Sequence, residues 1–82
     1  MTESDAREKV VELVRRLSGS DMDISGSDQL IEDIGFVSLN FIELIVELEV
    51  VFDIVIPEGY LLPGALKSVD DLVRMVIMLY HP

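Results

Sequence analysis

The stretch GFVSLNFIELIVELEVVFDIVIP, residues 35–57, governs how the rest of the chain is read. Between Leu39 and Phe52 there is neither proline nor glycine, and apolar residues recur at helical spacing, so a helix is expected. Ser38 is placed as its N-cap, a hydroxyl that accepts from the free amides of the first turn. Pro57 forbids continuation, which puts the end near Phe52 or Asp53. At about 100° per residue, Phe41, Leu44, Ile45, Leu48 and Phe52 share one face, the predicted core side. Asn40, Glu43 and Glu47 form a polar stripe. Leu39, Ile42, Val46 and Val50 make a second apolar stripe, where an ordinary surface helix has only one. Either the 60–66 loop covers it with Tyr60, Leu61 and Leu62, or it is an exposed docking surface with an acidic edge.

Working outward, residues 3–17 also show helical spacing, with Ala6, Val10, Leu13, Val14 and Leu17 on one side; Ser18-Gly19-Ser20 stops this helix. A long polar loop runs to about Val37, interrupted by Leu30, Ile31 and Ile34. After Pro57 come Gly59, Pro63 and Gly64, a loop with room for one short helical turn. The last helix opens at Ser68-Val69-Asp70-Asp71, a capping-box pattern with Asp in place of Glu, and buries Leu72, Val73, Val76 and Leu79. Ile54-Val55-Ile56 is too short to be a strand without a partner. The expected fold is all-α: a small antiparallel bundle of three main helices plus a short fourth, with a long first loop, as a single domain over 1–82.

Composition narrows the function. An 82-residue chain buries roughly 60% of its unfolded surface, and 50% apolar residues suffice for one core with little room for an internal active-site cavity. There is no cysteine, hence no disulfide and no thiolate chemistry. The formal charge is −10, and between Arg16 and Lys67 there are ten acids and no Lys or Arg. Such a field repels phosphate backbones, so no nucleic-acid partner is expected, and it steers basic protein surfaces toward the middle of the chain. The apolar run 39–52 is too short, and too interrupted by Glu43, Glu47 and Glu49, to cross a bilayer. No signal peptide is visible, so a cytoplasmic monomer without a membrane partner is expected. With no metal-ligand cluster and no nucleophile–base pair, the chain does not read as an enzyme; His81, its sole histidine, sits in the tail.

The series Asp33-x-Gly35-x-x-Ser38-Leu39-x-x-x-Glu43-Leu44-x-x-x-Leu48-Glu49-x-x-Phe52-x-Ile54-x-Ile56-Pro57 resembles the central motif of acyl carrier proteins. The resemblance spans essentially the whole chain. It implies that Ser38 is the attachment site of a 4'-phosphopantetheine arm, transferred from coenzyme A by a phosphopantetheinyl transferase, on which acyl intermediates ride as thioesters. It also implies docking of acyl-transferring and condensing enzymes with basic patches at Leu39, Ile42, Glu43, Val46, Glu47 and Glu49. Ser4, Ser18, Ser20, Ser25, Ser27 and Ser68 lack the Gly-x-x-Ser-Leu turn.

Four departures stand out. Val37 replaces the usual acid before the serine, Asn40 and the Val50–Val51 pair replace frequent acids, and the 60–66 loop carries two extra residues. They favour a dedicated pathway, polyketide or other secondary-metabolite synthesis, over a general fatty-acid role. Two other readings compete. Residues 21–32 place oxygen ligands at Asp21, Asp23 and Ser25, glycine at Gly26 and an acid at Glu32, in the pattern of a calcium loop. Val37 also suits a carrier-fold adaptor that is never modified.

Overall fold

A computed structural model describes residues 1–19 and 23–81. Three α-helices follow in order, α1 (Glu3–Ser18), α2 (Ser38–Phe52) and α3 (Val69–Leu79), with a 3₁₀ turn at Glu58–Leu61 before the last. This is the expected all-α architecture. The described residues hold no strand; Gln29 and Ser68 make a single isolated antiparallel bridge.

Helix ends follow their local chemistry. Thr2 caps α1, its Oγ1 accepting from the Asp5 amide at 3.1 Å, with Glu3 and Asp5 in the first turn. The helix stops at Gly19, whose φ of 69° suits a residue without Cβ. At α3 the predicted capping box is present: Ser68 Oγ accepts from the Asp71 amide (3.2 Å), and Asp71 Oδ2 accepts from the Ser68 (3.1 Å) and Lys67 (2.9 Å) amides. Burial alone would raise the Asp71 carboxyl. The two amides and the Arg74 guanidinium outweigh it and hold the group below its ordinary value.

α1 packs against both α2 and α3. The core unites Ala6, Val10, Leu13 and Val14 with Leu44, Ile45, Leu48 and Phe52 and with Leu72, Val73 and Val76, as the periodicity predicted. Phe41, Leu17 and Leu79 are half-buried at its margin. Val69 and Met75 also enter it, as do Ile54 and Ile56. These two isoleucines alternate with exposed Val55, so the short apolar run turns alternate side chains inward without any strand partner.

The long first loop is stitched to the start of α3. The Leu30 amide donates to the Lys67 carbonyl (2.8 Å), Val69 to Asp28 (3.1 Å) and Asp70 to Gly26 (2.8 Å). Leu30 and Phe36 are its buried anchors, whereas Ile31 is exposed. Arg7 reaches across from α1 to Asp70 (2.7 Å), and Gly26 lies against that pair, where a Cβ would collide with the Asp70 carboxylate and the Arg7 guanidinium.

Candidate functional site

The start of α2 differs from the sequence expectation by one residue. Ser38 is not the N-cap; it is the first helical residue, and Val37 holds the cap position in extended conformation (φ −105°, ψ 175°). The preceding loop sets this register. Asp33 Oδ2 accepts from the Gln29 amide (2.7 Å), Gly35 turns the chain at φ +88°, and Phe36 is pinned in the core with its amide on the Leu30 carbonyl (2.8 Å). Asn40 Oδ1 reaches back to accept from the Val37 amide (3.1 Å), and Asn40 Nδ2 donates to the Leu17 carbonyl at the end of α1 (3.5 Å). Only this return half of a capping box exists, because valine has no side-chain acceptor. An Asn three residues beyond Val37 is the sequence signal for it.

This register matters chemically. A cap hydroxyl is occupied by the amides it accepts from. Ser38 at the first helical position is exposed, and among the described residues its hydroxyl has no hydrogen-bond partner. Among the described residues no side chain accepts from the first-turn amides of α2, and that turn holds no acid, whereas α1 and α3 each begin with a hydroxyl cap and two acids. First-turn amides and the positive end of the helix dipole are therefore left for an external anion, so the site fits a phosphodiester on Ser38.

Beside Ser38 an open cleft of about 560 Å³ runs between α2 and the 61–66 segment. Leu30, Phe36 and Leu66 are its buried residues, Ile42, Leu61 and Leu62 its exposed rim, and among the described residues no charged side chain lines it. Sequence reasoning left little room for an internal cavity and did not anticipate this open cleft, because a groove between a helix and a loop needs no hollow in the core. Phe36, the lone aromatic in the first loop, was the available signal.

The second stripe is uncovered. Leu39 is 65% exposed, Ile42 59%, Val46 52% and Val50 73%, so the 60–66 loop borders this surface without lying over it. The predicted docking acids fare differently. Glu43 is exposed, and among the described residues it has no ion pair or hydrogen bond. Glu47 faces α1 and pairs with Arg16 at 3.1 Å. Glu49 is half-buried, its Oε2 accepting from the Ile56 amide at 2.9 Å.

The calcium-loop pattern gains no support. Asp21 lies outside the described residues. Asp28 Oδ2 accepts from the Ser25 amide (2.9 Å), and Gly26 is explained by its approach to Arg7 and Asp70.

The profile of the phosphopantetheine attachment-site family matches residues 8–76. The chain is 28% identical to aminoacyl carrier protein 1 of Bradyrhizobium diazoefficiens, an alignment covering 96% of this chain and 90% of that one. A solved structure assigned as an acyl carrier protein of Mycobacterium tuberculosis superposes with a TM-score of 0.82 at 32% identity, covering 89% of this chain and 96% of that one. By sequence profile and by fold, the chain thus belongs to the phosphopantetheine attachment-site family, as an acyl carrier protein-type domain that bears 4'-phosphopantetheine and is a carrier, not an enzyme.

Proposed function

We propose that Ser38 carries the arm and that α2, at Leu39, Ile42, Glu43, Val46, Glu47 and Glu49, is where partner enzymes dock. The observation that carries this reading is the helix start itself: an exposed hydroxyl, unpartnered among the described residues, above first-turn amides that none of their side chains occupies. Among the described residues no basic side chain is hydrogen-bonded to the Ser38 hydroxyl, so activation belongs to the transferase. When bound, the arm contributes a terminal thiol that holds cargo as a thioester. The protein's share is to hold the serine outward, to present donors to the phosphodiester and to offer the neighbouring cleft to the cargo. Among the described residues that cleft is lined by no charged side chain, which favours an apolar acyl group over an aminoacyl one, whose ammonium would lose water without gaining a partner. Together with Val37, Val50 and Val51, this favours polyketide or other secondary-metabolite synthesis over general fatty-acid synthesis. A charge of −10 draws partners with basic surfaces over long range.

Incubation with coenzyme A and a broad-specificity phosphopantetheinyl transferase, read by intact mass, tests the assignment. One arm should add to the wild-type chain and none to Ser38→Ala. An alanine variant that still gains the arm disproves it. A wild-type chain that gains none, and that carries none when purified from its native host, is the unmodified adaptor instead.

A further inference from the structure

Next to the apolar cleft lies a second hollow, of about 410 Å³, lined by Gln29, Ile31, Glu32, Gly64, Leu66 and Lys67. Ile31, Gly64 and Leu66 line both spaces, so the two adjoin along those residues. Residues of α2 line the first and, among the described residues, none of them lines the second. The annex is therefore the side of the cleft turned away from Ser38. Backbone bonds fix its floor. The Leu30 amide donates to the Lys67 carbonyl (2.8 Å), Gln29 and Ser68 form the isolated bridge, and the Lys67 amide donates to Asp71 Oδ2 (2.9 Å). Along these paired segments side chains alternate: Leu30 and Leu66 are buried, whereas Ile31 and Lys67 are exposed and Gln29 is half-buried. The Lys67 stem runs beside Gly64, where a Cβ would stand 3.6 Å from Lys67 Cε. Among the described residues the side chains of Gln29, Glu32 and Lys67 have no hydrogen bond or ion pair, with each other or elsewhere.

The chemistry of this trio selects an occupant. The Glu32 carboxylate and the Lys67 ammonium sum to zero, so a second charge gains from one and is repelled by the other. A hydroxyl suits both: it donates to Glu32 and accepts from Lys67, and the Gln29 amide complements either role. Resting on the reading of Ser38 as the attachment site, we infer that the annex recognises a hydroxyl at the far end of the acyl chain, and that the cargo is a hydroxylated acyl group. The apolar cleft takes the hydrocarbon, and a few polar groups beyond it fix which chain is held, the usual division of labour in a small-molecule site. A plain methyl end finds nothing in the annex that water did not already offer.

The test loads the arm with its cargo already attached. Octanoyl-, 8-hydroxyoctanoyl- and 7-carboxyheptanoyl-coenzyme A, the last ending in a carboxylate, are offered with a broad-specificity phosphopantetheinyl transferase, and intact mass confirms each product. Hydroxylamine then cleaves the thioester, at a rate that reports how far the cargo is withdrawn into the protein. The hydroxylated chain should be cleaved about three- to tenfold more slowly than the plain one, the range for one net hydrogen bond. It alone should shift the Gln29 side-chain amide in NMR spectra. Lys67→Met and Glu32→Ala should each bring the two chains to within about twofold of one another, with the octanoyl rate and the melting temperature unchanged. The inference is overturned if the hydroxylated and plain chains are cleaved alike, if the carboxylate-ended chain is protected most, or if either variant keeps the wild-type difference. Loading itself separates the two claims. If Ser38→Ala accepts the acylated arm, or the wild-type chain accepts none, the attachment reading falls and this inference with it. If loading proceeds at Ser38 and the chains are indistinguishable, only this inference falls.

Discussion

At Ser38 a single step of register separates a structural serine from a chemical one. A cap serine exchanged for alanine would weaken the fold by about 0.5–2 kcal/mol. At the first helical position there is no cap bond to lose, so Ser38→Ala should change stability by less than about 0.5 kcal/mol in urea titration while abolishing modification. A larger loss would mean that the hydroxyl holds the helix start after all. Gly26 shows the opposite balance. It looks dispensable in a polar loop, yet its Cα lies against the Arg7–Asp70 ion pair that ties α1 to α3. Gly26→Ala should destabilise by about 1–3 kcal/mol, the range for forcing atoms into occupied space. Adding Asp70→Ala should recover part of that loss. If the single variant is as stable as wild type, the approach is looser than the geometry indicates.

α2 has two apolar faces, and only one belongs to the core. Leu48 is wholly buried, so Leu48→Ala should destabilise by about 2–5 kcal/mol. Ile42 and Val46 are more than half exposed; Ile42→Ala or Val46→Ala should shift stability by less than about 0.5 kcal/mol. Comparable losses at Ile42 and Leu48 in thermal melts would make the stripe core. The uncapped start offers a second test. Val37→Asp supplies the missing side-chain acceptor and should stabilise the helix by about 0.5–2 kcal/mol. It also restores the acid usual before the serine in the family this chain resembles, and arm transfer should accelerate. Equal transfer rates would make the departure at Val37 neutral. The same helix shows what was legible in the sequence. Its span, its core face and the presence of a second apolar stripe follow from 3.6-residue periodicity, which reports on side chains one turn apart; that the 60–66 loop leaves this stripe open does not follow from it. The cap did not follow, because it depends on where Phe36 is anchored and on Asn40 reaching backward. Nor did the fates of Glu47 and Glu49 follow: their partners, Arg16 and the Ile56 amide, come from outside the helix, and a helical wheel contains no such information.

Across the whole molecule, the long loop and α3 are held together where Asp71 sits. Its carboxylate accepts from the Lys67 and Ser68 amides, next to the Leu30–Lys67 and Val69–Asp28 backbone bonds that fasten the loop, and it meets Arg74 at 2.7 Å. These contacts favour the ionised form, so the folded carboxyl titrates below its ordinary value of 3.8. A carboxylate depressed in this way contributes stability that is complete above the unfolded value, and that contribution is lost as pH falls through the folded one. Between neutrality and the unfolded value another effect acts in the opposite sense, since partial neutralisation of a chain at −10 relieves self-repulsion. Acid sensitivity from Asp71 should therefore be confined to pH below 3.8. In an NMR titration the Lys67 and Ser68 amide protons should shift together as the carboxylate protonates, with a midpoint below 3.8. Asp71→Asn should remove that shared shift and flatten the stability profile over the same interval, while lowering stability at neutral pH. If the two amides titrate independently, or if the asparagine variant keeps the wild-type acid slope, Asp71 is not the group that joins the loop to α3.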